Sequence, residues 1–419
     1  MLEQLLAELF PKFRTIMGEG YRESLAVLER FSGPFDFHTF KTGDAVGDWV
    51  IPEEWHCDYA RITSDSGQII CDLADTNLRV VIYSEAIDEI VTKEELLQHI
   101  YTREDLADAI PYVTSYYSPR WGFCLTENER RSLVHRRYHV QIRAKKYAGE
   151  LQIAECVLPG SVDKEIFFST YLCHPSMANN ELSGPLVQSE VINYVRSLPN
   201  RRYTYRFVFL PETIGSIAYL NSGRAPKSSN IEHAFNLTCL GDSGEFSYIT
   251  PPWGECGTTR LFHSVLSSLG IAAKKYSWLE RGSDERQYWW PGITYPLITI
   301  CRSKFGCFEE YHTSKDNLDF VKAEYLYESV DLFKRIISLI EGNKKYIANT
   351  VGEPQMGRRN LYPDISHHGT VNAFNAYLDV MMLCTGERDL IDLSDILEMD
   401  PFRVIEICNE LRKFNLLTE

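Results

Sequence analysis

Four polar residues suited to metal-assisted hydrolysis stand just past apolar runs: His174 in CHPSMANNELSG, Glu212 in LPETIGS, Asp242 in LGDSG and His312 in EYHTSKDN. Imidazoles and carboxylates that arrive at one place from separate segments can build a tetrahedral N/O zinc site with one position left for water. A nearby carboxylate that is not a ligand can take the proton from that water. On this reading His174, Asp242 and His312 hold the metal, and Glu212 is the general base. Each residue also has an ordinary explanation. His174 can be a satisfied structural histidine, and Glu212 can cap a helix beginning near Ile214. Asp242 can be a turn residue before Ser-Gly, and His312 a loop histidine. The coincidence of four such positions within one block points to a site.

The segments that carry these residues predict the fold. EIFFSTYLCH (165–174), TYRFVFLPE (204–212), HAFNLTCLGD (233–242) and ITYPLITIC (293–301) are nearly continuous apolar runs, as in strands buried on both faces. Helical patterns at 184–198 and 321–342 alternate with them. The expectation is an α/β fold: a mostly parallel mixed sheet with helices on both faces, and a site just beyond the carboxyl ends of its strands. YHVQIRAK and ELQIAECVL read as a hairpin. Residues 2–17, 23–31 and 93–110 read as helices. Alternation over 58–84, broken by Asp-Ser-Gly and Asp-Thr-Asn, predicts short strands. Together these give a main domain over 1–47 and 126–350, an inserted small α+β domain over 48–125, and a linker over 352–364. The final segment, 355–419, reads as a winged helix, with two short helices and the strand-like tail FNLLTE.

Composition bounds the rest. A chain of 419 residues with 44% apolar and 24% charged residues is expected to form two or three soluble domains. A formal net charge of -15 argues against a chain-wide grip on phosphate backbones. From Glu353 to Glu419, six Arg/Lys face twelve Asp/Glu, so this module favours a protein partner or a homo-oligomer contact over nucleic acid. The 11 cysteines are scattered, odd in number and never spaced C-x-x-C, which predicts buried free thiols rather than a disulfide framework. Neither a signal peptide nor a membrane span is read from the sequence, so a cytoplasmic location is expected.

The 130–345 block resembles the co-catalytic zinc aminopeptidases and their glutaminyl-cyclase relatives. The whole chain resembles a bacterial aminopeptidase-like family with an inserted small domain and a C-terminal winged helix. DWVIPEEW, YYSPRWGFCL, CHPSMANNELSGP, LPETIGSIAYL, LGDSGEFSY, RGSDERQYWWPGI and EYHTSKDNLDFV carry that likeness. The resemblance implies that His174, Asp242 and His312 are metal ligands and that Glu212 is the base. It puts Asn180 where a metal-bridging aspartate stands, Thr213 where a second glutamate stands, and Asp284 near the substrate. A neutral amide cannot bridge two cations and threonine is a poor zinc ligand, so one zinc is expected rather than two, with Asn180 its weakest donor.

Around this core, Arg281, Arg286 and Gln287 are candidates to hold a substrate carboxylate or carbonyl, or else form surface ion pairs. Tyr311 and Tyr288 are candidates to line the pocket, and Trp289 and Trp290 to wall it. The chemistry expected is hydrolysis of an amide or peptide bond in a small substrate. The rival reading is a non-catalytic protein that binds a small molecule or peptide on a degenerate peptidase fold and signals through the winged helix. Asn180 and Thr213 favour the rival; Glu212 favours the enzyme.

Overall fold

The computed structural model describes residues 1–361 and 370–419. It divides into two compact units, residues 1–254 with 274–330, and 255–273 with 331–419.

The first unit is built on an eight-stranded mixed sheet. Its strands are β1 (Asp36–Lys41), β2 (Glu150–Leu158), β3 (Glu165–Tyr171), β4 (Thr204–Leu210), β5 (Ile231–Leu237), β6 (Ser247–Ile249), β7 (Lys274–Tyr276) and β8 (Leu297–Cys301), in the order β1-β2-β4-β3-β5-β8-β6-β7. The central strands β4, β3, β5 and β8 run parallel, whereas β2 pairs antiparallel with β4 and β6 antiparallel with β8. The chain leaves β3 towards β4 on one side and then crosses to β5 on the other. Strand β3 therefore sits at a topological switch point, where the carboxyl ends of neighbouring strands open a crevice.

Alternate residues of β3 face opposite ways. Phe168 stacks on Phe207 and Phe235, while Phe167 meets Tyr219. Tyr219 lies on helix α4 (Ile214–Asn221), and helix α3 (Gly184–Ser197) packs on the other face. A Cβ on Gly184 would come within 2.5 Å of both Leu237 O and Thr170 Oγ1. Only glycine lets α3 start this close to the strand ends, and that closeness fixes the segment carrying Asn179, Asn180 and Glu181.

Several elements differ from the sequence expectation. The first helix, α1 (Leu2–Leu9), stops ahead of Pro11, which cannot continue it, and α2 spans Glu19–Ser32. Of 93–110 only Lys93–Leu96 is α-helix; Tyr101 pairs with Cys124 and the Thr102 hydroxyl donates to Glu127 (2.8 Å). The expected hairpin of 138–145 with 150–158 does not form. Residues Arg137–Tyr147 instead join Glu54–Ser64, Ile69–Asp72 and Ile87–Thr92 in a separate four-stranded antiparallel sheet. Alternation alone does not say which of two sheets a strand joins.

In the second unit, strands Lys345–Ala348, Thr385–Asp389 and Leu417–Thr418 form a small antiparallel sheet. Helices Thr370–Leu383, Leu390–Leu397 and Pro401–Lys413 complete a winged-helix arrangement around a core including Tyr346, Val404, Ile407 and Leu411. Asp389 and Asp400 cap the last two helices with their side chains. Arg260 of this unit forks onto Asp389 at 2.9 Å. The expected linker over 352–364 runs at its end into 362–369, outside the described residues. Among the described residues, no helix is long and apolar enough to cross a membrane.

Candidate functional site

His174 lies three residues beyond β3 and is 7% exposed. Its backbone oxygen accepts from the buried Arg14 guanidinium at 3.2 and 3.0 Å, which pins the loop. Its Nδ1 meets the Glu181 carboxylate, whose other oxygen accepts from the Cys173 N–H at 2.5 Å. With Nδ1 engaged, Nε2 is the free edge of the ring, and it stands 3.9 Å from Glu212 Oε2. Burial opposes a charge on His174, but Glu181 overrides it and raises the pKa.

Glu212 lies two residues beyond β4. Burial raises its pKa and Glu181 adds to the effect, while His174, Ser283 and Arg286 pull it down. His312 completes the group, its ring centroid 5.1 Å from that of His174. It is held from the 110–114 stretch: the Tyr112 N–H donates to His312 O at 2.9 Å, the Ser314 N–H donates to Ile110 O at 2.8 Å, and Ser314 Oγ accepts from the Ile110 N–H at 3.0 Å. Burial, then the neighbouring His174, push the His312 pKa well below its ordinary value, which favours the uncharged ring that metal binding requires.

These three residues line one cleft of about 490 Å³, together with Thr213, Arg286, Gln287, Cys173 and, from the region expected to be an insertion, Trp49, Tyr112, Thr114, Tyr116 and Tyr117. Tyr311 stacks on His312 at 3.9 Å. Of the cleft residues, Thr213 and His312 have φ of 65° and 55°, a region that side chains other than glycine seldom adopt and that recurs at functional sites. Residues Asn179–Ser183 wind as a π-helix, another feature frequent at such sites.

The other candidates fall elsewhere. Asp242 does not line the cleft. Its oxygens accept from Asn179 Nδ2 (2.7 Å), Gly244 N (2.7 Å), Ser303 Oγ (2.7 Å) and Ser303 N (3.3 Å). Four donors leave it little acceptor capacity, so the structure makes it a fastening point rather than a member of the cleft. Asn180 is buried; its amide donates to Tyr171 Oη at 2.9 Å, and its Oδ1 has no partner. Thus Asn179, not Asn180, meets Asp242. Asp284 is buried beneath the cleft, where its Oδ1 accepts from Thr213 N and Ser216 Oγ, each at 2.7 Å. Burial, then Glu212, raise its pKa to about 8.

Arg281 is exposed and lies over Trp278 (5.0 Å), away from the cleft lining. Tyr288 is a core residue bonded to Ser169 Oγ, and Trp289 donates its indole N–H to Leu297 O. Trp290 is 65% exposed. Neither tryptophan walls the cleft, because one is spent on the core and the other faces solvent. Three contributors escaped the sequence reading: Glu181, Arg14 and Asp316. Asp316 accepts from the N–H groups of Ala178, Asn179 and Asn180 at 2.6–3.2 Å, and burial raises its pKa to about 7. Its position four residues after His312 was the available signal.

A cation fits the residues present. A carboxylate on Nδ1 with Nε2 free is the usual setting of a metal-bound histidine. His312 supplies a second imidazole, and the partnerless Asn180 oxygen is a buried acceptor without a donor. Ligand-type atoms of Cys173, His174 and Glu181 also lie within 4.8 Å of one another. Burial holds the Cys173 thiol well above its ordinary pKa, which opposes the thiolate that metal binding requires.

Comparison with known proteins gives consistent findings. Residues 3–343 match the family described as Domain of unknown function (DUF4910), and residues 344–419 match a winged helix-turn-helix family. A Clostridium acetobutylicum protein named "Putative polysaccharide biosynthesis protein with aminopeptidase-like domain" is 34% identical over 99% of this chain and 95% of its own length. A crystal structure of a "putative peptidase" from the same organism has a TM-score of 0.91 at 33% identity, covering 100% of this chain and 95% of that one. A zinc aminopeptidase from Bacillus subtilis, 12% identical, has a TM-score of 0.56 over 80% of this chain and 93% of its own, a likeness of fold.

Proposed function

The chain belongs to the family described as Domain of unknown function (DUF4910), with an aminopeptidase-like fold and a C-terminal winged helix, and from that premise we propose that it is a metal-dependent hydrolase of amide bonds. The observation carrying this reading is the 3.9 Å approach of Glu212 Oε2 to the free Nε2 of His174, beside a second imidazole in one cleft.

His174 Nε2 and His312 would hold a zinc ion; Asn180 Oδ1, buried and without a donor, stands outside the cleft lining. When bound, zinc lowers the pKa of water and polarises a carbonyl. Glu212 accepts the proton of the attacking water and returns it to the departing amine nitrogen. Its raised pKa suits both halves of that cycle. Glu181 fixes the His174 tautomer and ring angle, and Asp284 fixes Thr213 and so the turn carrying Glu212. Asp242 keeps a structural role.

The test is turnover by zinc-loaded protein on a panel of aminoacyl and acyl amides, with Glu212→Gln as control. Removing a general base costs about 10²–10⁴-fold. The expected result is a loss in that range with the melting temperature nearly unchanged. Equal turnover by both proteins contradicts the assignment.

A further inference from the structure

Resting on the hydrolase reading, we infer that the substrate is an N-acylated amino acid, whose carboxylate is bound by Arg286, rather than a peptide with a free N-terminal amine. Among the described residues lining the cleft, Arg286 is the single guanidinium or ammonium and Glu212 the single carboxylate. Arg286 is half-buried and fixed on two sides: Nε donates to Ser283 O and Nη2 to Thr213 Oγ1, both at 2.9 Å. No carboxylate among the described residues lies within ion-pair distance of it, although Asp and Glu outnumber Lys and Arg 58 to 43 in the chain. A preorganised guanidinium with an open edge is suited to a planar carboxylate.

An ammonium group has no comparable seat. Glu212 is used as the base, and Asp284 is fully buried and turned to Thr213 and Ser216. A dication on the imidazoles beside Arg286 would leave the cleft with surplus positive charge, which disfavours an ammonium and favours an anion. Trp49, Tyr116 and Tyr117 offer apolar surface to the acyl or side-chain portion. In the reaction, water adds across the amide C–N bond: the carbonyl carbon gains a hydroxyl and the nitrogen a proton. The products are a carboxylic acid and a free amino acid.

The test compares three probe sets on zinc-loaded protein: N-acetyl amino acids, the matching N-acetyl amino acid amides, and the matching amino acid amides with a free amine. The N-acetyl amino acids are expected to have the highest kcat/KM. Arg286→Gln is expected to cut their advantage over the neutral N-acetyl amides about ten- to hundredfold, mainly through KM, and Arg286→Lys to restore part of it. Preference for free-amine substrates, with selectivity unmoved by Arg286→Gln, overturns the inference and leaves the hydrolase reading standing. If no probe is hydrolysed, the hydrolase reading fails, and calorimetric titration with N-acetyl amino acids still judges the anion site. Binding lost in Arg286→Gln supports that site, and absence of binding by the wild type overturns it.

Discussion

Two clusters of acid and amide side chains sit past the carboxyl ends of the same sheet, and they are put to opposite uses. Around Asp242, one carboxylate accepts from four donors supplied by Asn179, Gly244 and Ser303. Around His174, a carboxylate engages only the far nitrogen of the ring, while the near nitrogen and Glu212 face the cleft. A buried carboxylate with all its acceptor capacity filled stabilises a loop. A carboxylate left short of donors, with a raised pKa, is available for chemistry. The distinction rests on hydrogen-bond saturation and not on residue type.

The contrast can be broken most sharply at its structural end. Asp242→Ala strands several buried donors, each worth about 1–3 kcal/mol when unsatisfied. Denaturant unfolding should therefore show a loss of roughly 3 kcal/mol, with zinc content retained; a loss of zinc instead would return Asp242 to the metal. At the cleft, Glu181→Gln removes the charge behind His174 without removing a hydrogen-bonding group. Zinc affinity, measured by chelator competition, should weaken about 10–100-fold, with stability little changed. The smallest effect is expected for Ser303→Ala, which deletes one donor to Asp242. It should cost about 1 kcal/mol in unfolding and nothing in zinc affinity.

Much of this was legible in the sequence. The central strands read correctly because strands buried on both faces are near-continuous apolar runs, and their ends located His174 and Glu212. The roles were less legible. Asp242 and Glu212 look alike in sequence, since nothing in LGDSG reveals that Ser303 and Asn179 will surround the first. Glu181 was passed over because its contact with His174 depends on the π-helical winding of 179–183, which no spacing rule anticipates. Arg14 supports His174 from 160 residues away. The segment 93–110 reads as a helix by composition, yet pairings of Tyr101 and Thr102 with residues 124–127 win over local propensity.

The most direct measurement is the metal content of purified protein, determined for the wild type, His174→Ala, His312→Ala and Cys173→Ser. The account predicts about one zinc per wild-type chain, as for a single catalytic ion with one position open to water, lost in both histidine variants and kept in Cys173→Ser. No metal in the wild type after zinc is added back, or zinc lost from Cys173→Ser and kept in His312→Ala, would contradict it.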